Sequence, residues 1–491
     1  MRRSIAVLTA ILSLGLLLSA CDWSQYRYGP ENTGYNPYES TLSTVNVSHI
    51  AEKFSASVGE FPSAAVIANG IAFVAAANSP SGGSLEAFDA NGSSNCSGTP
   101  NACTPLWTSS HLNVSGNPVV ANGLVYVNGS SSTYVFDAAG NTNCSGTPKV
   151  CQPLWSNVEL GPSGLTESPS GSPTVANGTL YVSYGTEFGA FDAAGNTGCS
   201  GTPKTCLPLW TSGLVNTDFY AFAESMGRLY VSANTQSGTV LSAYDASGAT
   251  NCTGTPKVCN PLSVYQIPTA ATPMYGGIPT VSNGFVYLSA YELDSTSTAS
   301  YGMGNLYVFD AIGITNCSGS PKLCAPLWTT RTLAFPSLAL AVANGLVYLT
   351  SMASPYVSSN IGVYTYDASG VSNCSGAPKV CDPLWTASLP SSGVGQVFSA
   401  PSVANGVVYV AMTDPSQTTP GSLEAFDAAG AINCSGSPKT CTPIGSASAP
   451  GYPTEAWATF PTIANGKVYL PMAPSAIPSG PATLYAFGLQ G

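Results

Sequence analysis

The 491-residue chain is rich in Gly (51) and Pro (38), and it carries 13 basic and 24 acidic side chains for a net charge of −11. A hydrophobic content of 44% with so few charges excludes a charge-driven disordered protein, and the negative balance argues against non-specific nucleic-acid binding. Two histidines, His49 and His111, are too few for a His-rich metal centre.

The chain opens on a targeting segment. Arg2 and Arg3 precede an apolar run from Ile5 to Leu18, which is short for a membrane span. It ends in Leu18-Ser19-Ala20-Cys21, which resembles the lipobox of bacterial lipoproteins, where the cysteine after two small residues is lipidated and becomes the first residue. An ordinary secretory signal cut nearby is the alternative. Residues 1–20 thus read as a signal peptide, 21–51 as a lead-in and 52–491 as one repetitive body, anchored by lipid in a bacterial cell envelope, periplasmic or at the cell surface.

Cysteine usage agrees with export. Of 15 cysteines, Cys21 stands apart and the rest form seven evenly spaced pairs, Cys96/Cys103, Cys144/Cys151, Cys199/Cys206, Cys252/Cys259, Cys317/Cys324, Cys374/Cys381 and Cys434/Cys441. Six residues separate the members of each pair, a pattern that reads as local disulfides, each within its own repeat.

One unit recurs through the body. An apolar strand ends in Asn-Gly, as in Pro173-Thr174-Val175-Ala176-Asn177-Gly178, and a second strand, Thr179-Leu180-Tyr181-Val182, follows at once. Asn-Gly between two such runs predicts a two-residue hairpin, because both turn positions need positive φ. A third strand ends in Phe/Tyr-Asp-Ala; then come the cysteine loop and a fourth strand opening with Pro-Leu-Trp. The hairpin glycines are Gly70, Gly123, Gly178, Gly227, Gly284, Gly345, Gly406 and Gly466, and Met226-Gly227 is the degenerate copy. The third-strand aspartates, Asp89, Asp137, Asp192, Asp245, Asp310, Asp367 and Asp427, read as turn caps. Trp107, Trp155, Trp210, Trp328 and Trp385 read as wedges between repeats, with Ser263 and Gly445 replacing the tryptophan in two others.

Four strands per repeat at this period predict an all-β, eight-bladed propeller with four antiparallel strands per blade. The eighth copy stops after Leu484-Tyr485-Ala486-Phe487, so residues 52–58 are expected to supply its fourth strand and close the ring, with Phe54 in the tryptophan place.

The Phe-Asp-Ala strand, the Gly three residues after the Asp and the Trp beyond resemble the tryptophan-docking repeat of the quinoprotein alcohol dehydrogenase-like superfamily. Asp22-Trp23-Ser24-Gln25-Tyr26, Thr33-Gly34-Tyr35-Asn36-Pro37 and Asn46-Val47 resemble the lead-in of those proteins. The resemblance implies a propeller over nearly the whole body. Enzymes of the superfamily bind pyrroloquinoline quinone in the central funnel, with a calcium held by acidic and amide side chains, a catalytic aspartate and commonly a disulfide of adjacent cysteines. This chain has no adjacent cysteines, and its free carboxylates near inner strands reduce to Glu60, Glu167, Glu224 and Glu455. Other relatives include the lipoprotein scaffold of outer-membrane barrel assembly, an analogy of fold alone.

In a propeller of this strand order the hairpins and cysteine loops share one end. Lys149, Lys204, Lys257, Lys322, Lys379 and Lys439 on those loops either form a cationic rim or offset the nearby aspartates. The opposite end varies from repeat to repeat and brings Glu167, Tyr220, Glu224, Tyr275, Gln396, Phe398, Glu455 and Trp457 as a candidate ligand face. The expected function is binding or scaffolding, for an envelope protein, a glycan or a small molecule, by a monomeric propeller without catalytic or metal residues. A quinone-dependent dehydrogenase, which alone would need pyrroloquinoline quinone and calcium, and a cell-surface adhesion protein are the alternatives.

Overall fold

The computed structural model describes residues 21–77, 82–157, 169–213, 219–235, 237–268, 274–292, 302–351, 362–387, 397–413, 421–449, 456–474 and 480–490. The expected signal segment, 1–20, lies outside this set.

The local rules of the repeat are met in the backbone. Asn177 and Gly178 adopt φ of 50° and 77°, and Met226 and Gly227 adopt 54° and 73° at the degenerate copy. The strands on either side alternate side chains onto two faces that are both covered, which is why they read as nearly continuous apolar runs. At the end of the third strand each aspartate turns inward. Asp89 accepts from the backbone N–H of Asn91, Ser93 and Ser94 and from the Ser93 hydroxyl. The hairpin and this turn sit at the same end of each sheet, because Ala90 N–H donates to Gly70 O at 3.0 Å and Ala138 N–H to Gly123 O at 3.0 Å.

The strands assemble into an all-β propeller of eight hydrogen-bonded sheets. A representative sheet runs Ser115–Ala121, Leu124–Asn128, Thr133–Asp137, Trp155–Asn157, then Lys204–Cys206 and Cys199–Ser200. The sheets hold six to eight strands, not the expected four. In seven of the eight sheets the additional pair is the cysteine loop of the following repeat; in the sheet of Ser402–Ala404 the lead-in strand Tyr35–Asn36 joins instead, parallel to the inner strand. Lys204–Cys206 lies parallel to Trp155–Asn157, with Trp155 opposite Lys204 and Asn157 opposite Cys206. An outer strand presents unpaired N–H and C=O groups, and the neighbour's loop satisfies them; Thr108 N–H, for example, donates to Lys149 O at 3.0 Å.

All seven disulfides join the expected partners. Each pair lies within its own repeat, as expected, but the ribbon it braces is laid on the preceding sheet and not on its own. Cys103 stands opposite Ala56, Cys151 opposite Ser109 and Cys259 opposite Ser212. Cys324 stands opposite Tyr265, Cys381 opposite Thr330 and Cys441 opposite Ala387. Cys103, Cys151, Cys206, Cys259, Cys324, Cys381 and Cys441, the second member of each pair, are all buried, and they join the hydrophobic clusters between neighbouring sheets. These sulfurs are therefore core groups closed off by the ribbon, while the first members, Cys96 among them, remain partly exposed.

The core lies between neighbouring sheets. Trp107 packs with Phe73 of its own repeat and Phe136 of the next, with ring centroids 6.1 Å apart in both cases. Where Ser263 replaces the tryptophan, Tyr265 is fully buried instead and donates to Ala311 O at 3.0 Å. At Gly445 the backbone of Val47 occupies the space, 2.5 Å from where a Cβ would stand.

Strand Ile50–Val58 runs antiparallel to Ala482–Leu489, with Phe54 opposite Ala486 and Ala56 opposite Leu484. On its other side it pairs in parallel with Asn101–Cys103 from the first repeat's cysteine loop.

Candidate functional site

The inner strand of each sheet also has a free edge, and residues 23–36 cover it. Trp23 exchanges two backbone hydrogen bonds with Ile67, each 2.9 Å. Ser24 O then accepts from Val120 N–H at 2.7 Å. The Gln25 amide donates to Val175 O at 2.8 Å and accepts from its N–H at 3.2 Å. Pro30 O accepts from Glu224 N–H, Glu31 O from Val281, Thr33 O from Val342 and Gly34 O from Val403, all at 2.8–2.9 Å. Asn36 Nδ2 donates to Ile463 O at 2.8 Å. These eight partners stand at one repeat position, three residues before the hairpin glycine, and they are met in chain order. The lead-in therefore forms a hub that touches all eight inner strands at the hairpin end.

Arg27 is the centre of this hub. It is fully buried, and its guanidinium donates to Leu340 O at 2.8 Å, to Ser402 Oγ at 3.1 Å and to Pro401 O. The charge also lies 5.2 Å from the Phe460 ring centroid. Gly34, at φ 60°, lies directly against the guanidinium, and a side chain there would collide with it. Burial lowers the Arg27 pKa to about 10, partly restored by Tyr26, so the group is a cation at neutral pH held by neutral dipoles. Tyr26 stacks edge-on against Phe460 with ring centroids 5.0 Å apart, and burial raises its pKa to about 12.

Tyr26 forms the floor of a cavity of about 210 Å³ whose walls include Asn117, Ser172, Thr174, Phe222 and Ile278. Gly116, Asn117, Gly171 and Ser172 lie in the early residues of inner strands, so the cavity is on the side of the hub away from the hairpins. Its lining offers hydroxyl, amide and aromatic groups and no carboxylate.

The expected ligand face is described in part. Glu167, Gln396 and Glu455 lie outside the described residues. Tyr220, Phe398 and Trp457 sit in strands Phe219–Ser225, Val397–Phe398 and Ala456–Ala458, paired with Ala233, Met412 and Ala473 respectively. Tyr275, in Met274–Gly276, is 38% exposed opposite Tyr291. Glu224 is a correction, because it belongs to the hairpin end. Its carboxylate accepts from Gly227 N–H at 3.0 Å and from Asn177 Nδ2 at 3.2 Å. It caps the degenerate hairpin that lacks the usual asparagine. Burial raises its pKa, against the Gly227 hydrogen bond and with help from Glu31.

The cysteine-loop lysines are likewise directed to backbone. Lys149 donates to Gly140 O at 3.0 Å and Lys204 to Gly195 O at 2.8 Å, and the other four make the same bond. In the first repeat Asn101 Nδ2 takes that role at Gly92 O, 2.8 Å away. They tie each loop to its own turn and do not reach the aspartates.

A calcium-bound quinone needs several converging oxygens of which some are charged. Among the described residues no group of three or more His, Cys, Asp or Glu side chains comes together. The cavity lining does not fit that donor set. The hub itself escaped sequence reasoning. Its signal was one arginine among Gln, Asn and Gly in a chain with few charges.

No protein-family model matches this sequence, and no curated protein is significantly similar to it. Solved structures do share the fold. A quinohemoprotein alcohol dehydrogenase from Comamonas testosteroni superposes with a TM-score of 0.55 at 14% identity, over 96% of this chain and 81% of its own. A europium-containing methanol dehydrogenase gives 0.54 at 14%, over 97% and 99%. The computationally designed Ika8 protein gives 0.53 at 12%, over 88% and 99%.

Proposed function

We propose that this chain is an exported, lipid-anchored propeller whose eight sheets are the blades of one ring, closed by strand Ile50–Val58, and that it acts by binding. The partner, an envelope protein, a glycan or a small polar molecule, meets the end opposite the hairpins. The observation that carries this reading is the hub, which closes the axis at the hairpin end and leaves a carboxylate-free cavity floored by Tyr26 toward the other. Neutral hydroxyl and amide groups beside aromatic rings suit recognition of a polar ligand and supply neither a nucleophile–base pair nor a charged metal cage. The seven disulfides support an oxidising compartment.

The test is capture from native membranes with the intact protein and with a Tyr275→Ala, Trp457→Ala variant. An aromatic anchor is typically worth about 2 kcal/mol, so the variant should lose most of the captured partner while melting as the parent does. Equal capture by both forms argues against this end as the binding surface. Stoichiometric, calcium-dependent uptake of pyrroloquinoline quinone with dye-linked alcohol oxidation would replace the reading by a dehydrogenase.

A further inference from the structure

The lead-in dictates where a lipid on Cys21 has to go. Only Asp22 separates Cys21 from Trp23, which is fully buried and bonded to Ile67 through both its N–H and its carbonyl. Asp22 is itself held across two hairpins, accepting from Asn69 N–H at 2.8 Å and from Asn465 Nδ2 at 3.2 Å. The Cys21 carbonyl accepts from Asn36 Nδ2 at 3.0 Å. An extended residue spans at most about 3.6 Å, so the sulfur stays within roughly 10 Å of Trp23. A lipoprotein on a long linker can turn freely above its membrane, whereas this one has no slack.

We infer that the protein rests on a phospholipid bilayer with its hairpin end against the headgroups, the sheet ring parallel to the membrane and the opposite end presented away from it. The inference rests on the lipid anchor proposed above. The chemistry of that end fits the site. Tyr38, Val45, Met226, Ile314, Val371 and Ile432 are between 42% and 83% exposed. They occupy the lead-in, the degenerate hairpin and the turns after third-strand aspartates, all at this end. Lys379 and Lys439 are exposed and donate to Gly370 O and Gly430 O in the turns that carry Val371 and Ile432. The aspartates of the same turns spend their oxygens on backbone N–H groups, as Asp367 does with Ser369, Val371 and Ser372. A collar of aliphatic side chains with lysines suits the headgroup boundary, where one acyl signal and an amphipathic surface add.

The experiment places the lipidated protein in nanodiscs of phosphatidylethanolamine and phosphatidylglycerol and follows backbone hydrogen exchange, with the Cys21→Ser protein free in solution as reference. The mass of the N-terminal peptide is read first. An unmodified Cys21 defeats the anchor reading itself. With the lipid present, protection on the nanodisc should be confined to segments 38–45, 225–228, 312–316, 371–373 and 430–434. Free exchange there, or protection at the opposite end, overturns the orientation. Replacing Ile314, Val371 and Ile432 by aspartate should keep the lipid and raise exchange in those segments by about threefold or more. Unchanged protection in that variant also counts against the contact.

Discussion

A Cβ added to Gly195 would lie 2.6 Å from Nε1 of Trp155. The third repeat's turn therefore receives the second repeat's tryptophan only because it is glycine. The same relationship joins Trp107 to Gly140, Trp210 to Gly248, Trp328 to Gly370, Trp385 to Gly430 and, at the seam, Phe54 to Gly92.

Gly178 is the matched control, with positive φ and nothing within 4 Å of its added Cβ. Both G178A and G195A force alanine into left-handed backbone, at about 1 kcal/mol. G195A adds a collision in a packed interface, so it should cost about 3 kcal/mol or more in total. Denaturant unfolding of the two variants side by side measures the difference; equal losses would mean that the tryptophan–glycine contact is unimportant.

Replacing Cys144 and Cys151 together by serine should lower stability by about 2.5 kcal/mol on loop-closure grounds alone. The ribbon also covers strand Trp107–Ser109. The expected first symptom is fast amide exchange in that strand, one repeat upstream of the substitutions, with little change in Trp155–Asn157.

Acid should act through the turn aspartates. Burial alone would raise the Asp89 carboxyl, but the Ser93 hydroxyl and three backbone N–H groups outweigh it and hold the pKa at about 2. The folded value lies below the unfolded one, so Asp89 contributes stability above about pH 4, and this is lost as pH falls toward 2. Asp89→Ala should melt lower than the parent at pH 7, and the gap should narrow as pH falls from about 4 through 2.

Glu86 has the opposite sign. Its carboxyl is pushed up to about 7 by burial, against one hydrogen bond from Ser84. The folded state then holds a proton that the unfolded chain releases, so this group costs stability as pH rises from about 4.5 to 7. Glu86→Gln should leave the melting temperature unchanged at pH 4 and stabilise at pH 8, by on the order of 2 kcal/mol.

Arg27→Met removes the buried cation and leaves Leu340 O, Pro401 O and Ser402 Oγ without their donor. The expected loss is about 3 kcal/mol, and limited proteolysis should cut first within residues 22–40. A variant whose lead-in stays as resistant as the parent's would show that the hub holds without its centre.

What repeats was readable. Asn177-Gly178 announces its hairpin, and the Asp192-to-Gly195 spacing marks the turn that receives a tryptophan, because each is a local backbone requirement stated many times over. What occurs once was not. Asn32 donating to Phe222 O and Pro279 O has no period to betray it. Glu224 looked like a ligand-face acid because its sequence neighbours do not reveal that its carboxylate folds back onto the hairpin, accepting from Gly227 N–H and Asn177 Nδ2. The partner of each cysteine ribbon was not legible for a related reason: spacing fixes which cysteines meet, whereas the strand they lie on belongs to another repeat. At Gly445 the missing tryptophan is explained by Val47, nearly four hundred residues earlier.

The hub has a consequence for how such a chain can evolve. Arrays of repeats readily gain or lose a unit by duplication or deletion. Here the stretch from Trp23 to Asn36 meets the inner strands in fixed succession, one contact per repeat from Ile67 to Ile463. Remove a repeat and a lead-in carbonyl or amide loses its partner, and insert one and a new inner edge goes uncovered. The segment works as a gauge. It ties the number of repeats to about fourteen residues that belong to none of them, and any change in the count needs a matching change in the gauge.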